Sequence, residues 1–178
     1  MATTVISIPV QEGLLLTEIR RSDRDAFIEY LNDREIYRCT CRIPFPYGEA
    51  DADKFLGVID ESTAKYGHPV NFAIRNSAGA LLGGCGFERL AYGHKAEIGY
   101  WVARPFWGRG IATAAVHAAC EYALAEWKLV RIHAYVFDFN LASARVLEKT
   151  GFQCEGLLRK HLLKGTEFIH CKLYALVR

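Results

Sequence analysis

Hydrophobic and polar residues alternate along some parts of this chain and recur with a helical period along others. Alternation is typical of a half-buried strand, whereas apolar residues three and four positions apart are typical of an amphipathic helix. The pattern predicts seven strands, at residues 14–19, 70–75, 81–90, 95–103, 130–137, 152–163 and 167–177. It predicts four helices, at about residues 22–32, 49–66, 111–127 and 140–149.

Cap and turn residues mark the ends of several of these elements. Ser22 or Asp23 is a suitable N-cap for the first helix, and Gly67 is a suitable end for the second. Lys164-Gly165 is predicted as the turn of a C-terminal hairpin. The last two helices connect strands four, five and six as crossovers, so we expect a parallel pair among those strands. The predicted fold class is therefore mixed α+β, with a mainly antiparallel sheet flanked by helices.

Composition and charge exclude several classes of protein. The chain has 178 residues, of which 51% are hydrophobic and 24% charged, which predicts one globular domain over residues 1–178. The net charge is only +2 and no dense run of Lys or Arg occurs, so we expect no nucleic-acid partner. No stretch approaches the ~20 apolar residues of a membrane helix, and residues 1–10 lack the pattern of a signal peptide. We therefore expect a cytoplasmic protein without a membrane partner.

Cysteine and histidine residues are dispersed along the chain. Among six cysteines only Cys39 and Cys41 are close together, and a C-x-C pair is not zinc-ligand spacing. The six histidines are equally scattered. We expect reduced thiols and no metal.

One segment carries a chemical signal, because a strand leads into a glycine loop that opens a helix. The loop contains Gly108 and Gly110, and the helix begins at Ile111. Glycine lets the backbone approach a ligand closely, and the first helical turn presents N–H groups with a partial positive charge. Such a loop binds a pyrophosphate, to which Arg104 or Arg109 would add a charge-assisted contact.

Other interpretations of this loop are testable on the sequence. A P-loop requires Lys after its last glycine, where this chain has Ile111. A Rossmann loop requires Gly or Ala at its sixth position, where this chain has Thr113. A plain turn with no ligand remains open.

The loop and its surroundings resemble the GNAT superfamily of acetyltransferases. Their acyl-CoA signature is Gln or Arg, two residues, Gly, one residue, and Gly or Ala; residues 107–112 match it, with Trp107 at the first position. The W-G-R-G-I-A-T sequence, the E-I-G-Y-W strand at 97–101 and the segment at 140–152 resemble the ribosomal-protein N-terminal acetyltransferase branch. This resemblance covers nearly the whole chain. It implies a GNAT-like fold, in which a seven-stranded sheet is splayed between strands four and five and flanked by about four helices.

The resemblance also implies an enzyme that transfers acetyl from acetyl-CoA to a primary amine by direct attack in a ternary complex. The thioester would lie along the strand from Ile98 to Val102, and the N–H groups of the glycine loop would bind the pyrophosphate. Asn140 would contact the pantetheine arm. The implied cofactor-binding residues are Ile98, Tyr100, Val102, Trp107, Gly108, Arg109, Gly110, Ile111, Ala112, Thr113 and Asn140.

Two residues are candidates for proton transfer. Glu97, at the mouth of the cleft strand, is the candidate general base, and the alternative is a solvated charge at a strand end. Ser143 is implied to protonate the leaving thiolate, and the alternative is a helix cap. Tyr174 occupies a family-like D-x-x-x-Y pattern in which His170 replaces Asp, and we expect it in the core.

The acceptor is the least specified part of the prediction. By resemblance it should touch the aromatic segment Arg42–Tyr47 and the helix that follows. Nearby Glu49, Asp51 and Asp53 either attract a cationic amine or act as ordinary first-turn helix residues. A protein or peptide α-amine is the leading hypothesis, and a small amine such as an aminoglycoside or polyamine is the alternative. A non-catalytic acyl-CoA-binding module and an interaction domain remain competing classes, and the oligomeric state is a monomer or a homodimer.

Overall fold

The structure is a computed structural model that describes residues 6–178, and these residues form eight strands and five α-helices. Two single-turn 3-10 helices, Arg21–Asp23 and Arg104–Phe106, precede α1 and the glycine loop. In chain order the elements are β1 (Ser7–Gln11), β2 (Leu14–Glu18), α1 (Arg24–Leu31), α2 (Arg34–Cys39), α3 (Glu49–Tyr66), β3 (Asn71–Asn76), β4 (Leu81–Ala91), β5 (Lys95–Val102), α4 (Ile111–Glu126), β6 (Arg131–Phe137), α5 (Leu141–Lys149), β7 (Gln153–Lys164) and β8 (Glu167–Val177). The expectation that the chain lacks a signal peptide concerns residues 1–10, of which residues 1–5 lie outside the described residues.

The prediction of seven strands and about four helices was wrong by one element of each kind. The additional strand is β1, which contains Pro9; Pro is tolerated here because β1 is an edge strand that pairs on one side with β2. The additional helix is α2, which has six residues and is too short for a clear helical period. Its N-cap Asp33 accepts hydrogen bonds from the backbone N–H groups of Glu35 and Ile36 at 2.7 and 3.2 Å.

Two predicted boundary signals also differ from the structure. Asp23 occupies the N-cap position of α1, but its side chain makes no capping hydrogen bond there. The C-terminal hairpin pairs Lys164 with Glu167, so its two-residue loop is Gly165-Thr166 and not Lys164-Gly165. The second predicted helix is confirmed from Glu49 to Tyr66, and Gly67 follows it with a φ of 76°.

The described residues divide into two compact units. The first unit contains the chain up to Gly86 together with Tyr100–Ala119, and the second contains Phe87–Gly99 together with Cys120–Arg178. Each unit therefore combines segments that are distant in sequence. The prediction of a single domain over residues 1–178 stays a prediction.

In the first unit an antiparallel ladder carries a helical layer. The strands lie in the order β1-β2-β3-β4, and α1 packs against α3. Phe27 is at the centre of this core, with its ring 5.3 Å from that of Phe55 and 6.0 Å from that of Trp101. The buried cluster around it is Leu31, Ile36, Tyr47, Ala52, Leu56, Ala73 and Leu81.

In the second unit the strands lie in the order β5-β6-β8-β7. The predicted parallel pair is confirmed as β5 with β6, and β8 pairs antiparallel with both β6 and β7. Ile132 and Leu147 are fully buried, and the ring of Trp127 packs edge-on against that of Phe87 at 5.1 Å. Together with the first unit's ladder this confirms the mixed, mostly antiparallel fold class.

A buried ion pair ties α1 to two strands of the first unit. Both guanidinium nitrogens of Arg75 on β3 donate to the carboxylate of Asp23, at 2.8 and 2.7 Å, and Arg75 Nε donates to Thr17 Oγ1 on β2 at 2.8 Å. Asp23 also accepts from the backbone N–H of Arg20 at 2.7 Å. This use of the carboxylate is the reason that Asp23 does not cap the helix.

Replacing Asp23 by Ala should therefore destabilise the protein strongly. Removing one partner of a buried ion pair leaves the other charge uncompensated, which costs about 3–5 kcal/mol of unfolding free energy. Asp60→Ala is the matched control, because Asp60 pairs with Arg21 on the exposed surface and such a pair contributes about 0–1 kcal/mol. Urea unfolding followed by circular dichroism measures both, and equal losses would contradict the structural role of the buried pair.

Candidate active site

The glycine loop lies in the first unit, between the carboxyl end of β5 and the first turn of α4. Gly108 and Gly110 have φ values of 74° and 75°, a region that residues with a Cβ rarely adopt. The carbonyl of Gly110 accepts from the backbone N–H of Ala114 at 3.0 Å, which is the first hydrogen bond of the helix. The N–H groups of the first helical turn have no earlier helical carbonyl to bond, as an anion site requires.

Trp107 fixes the start of this loop. Its indole Nε1 donates to the carbonyl oxygen of Val102, the last residue of β5, at 2.6 Å, while 46% of the residue stays exposed. Trp107, the residue that departs from the usual signature, therefore holds the start of the loop against the end of β5. Among the other residues predicted to bind the acetyl-CoA cofactor, Ile111 is buried and Ala112 and Thr113 are half-buried.

The two loop arginines differ in their surroundings. Arg104 Nη1 lies 3.4 Å from Oδ2 of Asp33, so part of its charge is neutralised. Arg109 Nη2 donates to the carbonyl of Pro105 at 3.1 Å, and its guanidinium lies 5.6 Å from the ring centroid of Phe106. Both contacts are with uncharged groups, so neither of them neutralises the charge of Arg109.

In the second unit, Glu97 lies where β5 and β6 separate. The parallel register pairs Lys95 with Arg131, Ala96 with Ile132 and Glu97 with His133, and then ends although both strands continue. The predicted splay between the fourth and fifth predicted strands is thereby confirmed between β5 and β6. Beyond it, Ile98 is buried, while Tyr100 is half-buried and Val102 buried near the end of β5.

A cationic side chain and a titratable imidazole lie near Glu97. Its Oε2 lies 3.3 Å from Nη1 of Arg89 on β4 and 4.0 Å from Nε2 of His133 on β6. The Glu97 side chain is only 15% exposed, whereas that of Arg89 is 69% exposed. The carboxylate is therefore largely screened from solvent and is flanked by an exposed cation and a buried imidazole.

Sequence reasoning missed His133. Burial lowers the pKa of its imidazole below the ordinary value; Glu97 acts in the opposite direction, and Arg131, Lys95 and Arg89 lower it further. His133 is therefore neutral at pH 7. The expected parallel pair among predicted strands four, five and six contained part of the signal, but the actual pairing and its register were needed to identify His133 as the neighbour of Glu97.

Asn140 and Ser143 come together at the start of α5. The side-chain Oδ1 of Asn140 accepts from the backbone N–H of Ser143 at 3.1 Å, so Asn140 caps the helix. Tyr174 lies in the core as predicted: its hydroxyl donates to Glu148 Oε1 at 3.0 Å, and burial and Glu148 raise its pKa to about 12. Nδ1 of His170 accepts from the backbone N–H of Lys160 at 2.8 Å.

The predicted acceptor segment lies in the first unit. Tyr47 is buried, its backbone N–H donates to Asn32 Oδ1 at 3.1 Å, and burial raises the pKa of its phenol to about 12. The acidic residues that follow are engaged within the fold: Asp51 accepts from the N–H of Gly48 at 3.0 Å, and Arg24 contacts Glu49 at 2.9 Å and Asp53 at 2.6 Å. This arrangement favours the first-turn helix role over attraction of a cationic amine.

Other candidate chemistry is limited within residues 6–178. These residues contain no group of three or more His, Cys, Asp or Glu that would hold a metal ion, and their six cysteines are unbridged. No helix among them has the length and apolar character needed to traverse a bilayer.

Comparison with known proteins identifies the family. Residues 13–153 match the acetyltransferase (GNAT) domain family. The chain is also 30% identical over 174 residues to an uncharacterised N-acetyltransferase of Bacillus subtilis strain 168, YoaA, with 94% of each chain covered. This chain belongs to the GNAT acetyltransferase family. It is an acyl-CoA N-acetyltransferase.

Solved structures of the same fold include enzymes for different acceptors. RimL, a ribosomal L7/L12 α-N-protein acetyltransferase solved with coenzyme A, has a TM-score of 0.86 at 19% identity and covers 97% of this chain and 98% of its own. A spermidine N-acetyltransferase from Vibrio cholerae, solved with CoA and spermine, has a TM-score of 0.79 at 20% identity, with coverages of 93% and 95%. At these identities the likeness concerns the fold alone.

The backbone of the glycine loop makes a specific prediction for stability. Gly110→Ala should lower the unfolding free energy by about 1 kcal/mol, because a Cβ is disfavoured at a φ of 75° although nothing lies within 4 Å of it. Gly99→Ala is the control, since its site is equally open and its φ lies outside the left-handed region; it should be neutral or slightly stabilising. Thermal unfolding distinguishes the two variants, and equal melting temperatures would contradict the positive φ of Gly110.

Proposed function

We propose that this enzyme acetylates the α-amine of a protein or peptide by direct attack on the thioester of acetyl-CoA in a ternary complex. The observation that carries the proposal is Glu97, a screened carboxylate at the point where β5 leaves its parallel partner. Deprotonating an α-amine of pKa ~7.8 at pH 7 costs about 1 kcal/mol, whereas a lysine amine of pKa ~10.4 costs about 4.6 kcal/mol. A carboxylate acting through water is sufficient for the first of these.

The donor is proposed to bind along β5 and the glycine loop. The N–H groups of residues 107–112, with Thr113 at the next position, bind the pyrophosphate, and Arg109 supplies the cation because Asp33 already opposes Arg104. The pantetheine arm follows the backbone of Ile98, Tyr100 and Val102. The short parallel ladder with β6 supports this, since the part of β5 beyond the ladder has backbone groups that can hydrogen-bond a ligand.

Proton transfer is proposed to use Glu97 and Ser143. Glu97 accepts the ammonium proton through water, which gives the neutral amine that attacks the thioester carbonyl. Ser143, on the first turn of α5, donates its hydroxyl proton to the departing thiolate and takes up the second N–H proton of the attacking nitrogen, so that CoA leaves as the thiol. The partial positive charge of that helix end favours the developing thiolate. Asn140 orients this turn through its cap and contacts the pantetheine arm.

The α-amine is preferred over a small polyamine on electrostatic grounds. A polycation binds through carboxylates in its pocket, and those of Glu49, Asp51 and Asp53 already accept hydrogen bonds within the fold, from Arg24 and from the backbone N–H of Gly48. In the predicted acceptor segment, the aromatic residue Tyr47 is buried. The W-G-R-G-I-A-T sequence, which resembles the ribosomal-protein N-terminal acetyltransferase branch, supports the same acceptor.

The first experiment tests donor and acceptor separately. Calorimetric titration with acetyl-CoA, CoA and dephospho-CoA should show saturable binding that Gly108→Glu abolishes, because a carboxylate would occupy the pyrophosphate position. Release of free CoA thiol is then followed with short peptides beginning in Ala or Ser, the same peptides N-formylated, free lysine, spermidine and an aminoglycoside. Activity confined to the free-amine peptides is the expected result, and preferential turnover of spermidine or the aminoglycoside would overturn the α-amine assignment.

Replacing Glu97 by Gln should lower kcat by about 10²–10⁴-fold, the usual contribution of a general base, while the Kd for acetyl-CoA stays unchanged. Glu121→Gln is the matched control in the same unit, because Glu121 pairs with Arg178 on the surface and should leave kcat unchanged. Steady-state kinetics with an Ala-initiated peptide measures both variants. A Glu97→Gln enzyme with wild-type kcat would remove Glu97 from the mechanism.

A further inference from the structure

His133 stands beside Glu97 for a topological reason. Glu97 and His133 are the last registered pair of the parallel β5–β6 ladder, so their side chains project from neighbouring strands at the point where the strands part. Nε2 of His133 lies 4.0 Å from Oε2 of Glu97.

The imidazole is buried and incompletely bonded. His133 is only 9% exposed, and its Nδ1 is buried with no hydrogen-bond partner among the described residues. Leaving a buried polar nitrogen unpaired costs stability, and natural cores rarely do so without compensation. This cost is consistent with a group that must change its protonation state during the reaction.

Charged and aromatic groups surround His133 on several elements. Arg89 on β4 and Lys95 on β5 oppose its protonation, as does Arg131 on β6, whose own charge is paired with Glu155 of β7. Glu97 favours protonation. The ring of Tyr135 packs edge-on against His133 at 5.7 Å, and the ring of His161 lies 4.7 Å from that of Tyr135. Burial therefore favours the neutral imidazole, whereas the carboxylates of Glu97 and Glu155 favour its protonated form.

We propose that His133 positions Glu97 and accepts from it the proton that the acceptor amine releases. The ammonium N–H bond breaks and its proton passes through water to the Glu97 carboxylate, and the proton then moves from Glu97 to Nε2 of His133. This restores the carboxylate and forms an imidazolium that the same carboxylate stabilises. The neutral amine keeps the electron pair with which it attacks the thioester. The imidazolium later releases the proton to solvent, which balances the net proton produced by acetylation of an ammonium.

This inference rests on the proposed role of Glu97 as the base, and the pH profile of a His133 variant tests it. His133→Gln preserves a neutral polar group but cannot take up a proton. We expect kcat with an Ala-initiated peptide to fall about 10–100-fold at pH 7, with the Kd for acetyl-CoA unchanged. The acid limb of the kcat profile should move to lower pH, since a carboxylate titrates below an imidazole. The amine's own titration is common to both enzymes and cancels in the comparison.

His161→Gln is the matched control. It makes the same substitution at an exposed histidine of the same unit and should leave kcat and its pH profile unchanged. A His133→Gln enzyme with the wild-type profile would overturn the proposal. A parallel loss of kcat, acetyl-CoA affinity and melting temperature would also overturn it, because it would indicate a purely structural role.

A second measurement needs neither an acceptor nor a folded His133 variant. The imidazole of His133 is titrated by NMR in the wild-type protein and in Glu97→Gln. Loss of the neighbouring carboxylate should lower the His133 midpoint, whereas that of His161 should not move. An unchanged His133 midpoint would show that the two groups are uncoupled and would overturn the proposal.

The two sets of variants separate this inference from the proposed function. If Glu97→Gln loses activity while His133→Gln keeps the wild-type kcat and pH profile, Glu97 remains the base and the role of His133 is disproved. If neither variant changes kcat, both assignments are disproved. If both variants lose activity and the acid limb shifts in His133→Gln, the relay is supported.

Discussion

The parallel ladder between β5 and β6 lasts for only three residue pairs, and the chemistry of this protein depends on where it ends. Parallel strands require a crossover, and α4 supplies it, so the glycine loop and the helix N-terminus must follow β5 directly in the chain. The same connection that makes the pair parallel therefore supplies the anion-binding backbone at the carboxyl end of a strand. The early end of the ladder then leaves Glu97 at the last paired position.

Two ionic clusters of the fold differ in exposure and in the kind of partner. The carboxylate of Asp23 accepts from two nitrogens of Arg75 and from a backbone N–H, and both side chains of the ion pair are buried. The carboxylate of Glu97 lies beside an exposed arginine and beside an imidazole whose Nε2 is 4.0 Å away. A buried network of charged groups stabilises a fold, whereas a carboxylate beside a titratable imidazole offers a route for a proton. The first cluster suits a structural role and the second suits the proposed proton transfer.

Local sequence patterns predicted most of the fold, and the failures have identifiable physical causes. The long helix α3 and the parallel β5–β6 pair follow from periodicity, caps and chain order. The edge strand β1 was not predicted; it contains Pro9, a poor strand residue except at an edge, and edge position is a tertiary property. Ser22 or Asp23 was predicted as the cap of the first helix, whereas the carboxylate of Asp23 binds Arg75, which lies 52 residues away in sequence. Contacts of this kind leave no local signal.

The same distinction applies within the candidate site. The glycine loop is predictable because its glycines and the hydrogen bond of Trp107 are local, since the indole donates to a carbonyl only five residues earlier. That hydrogen bond gives the indole at the first signature position a role in holding the loop. Because Trp107 brings no charge, the proposed attraction for an anion relies on the helix N-terminus and Arg109. His133, in contrast, acquires its place only through strand register, so a motif search passes over it although it lies nearest to the proposed base on the adjoining strand.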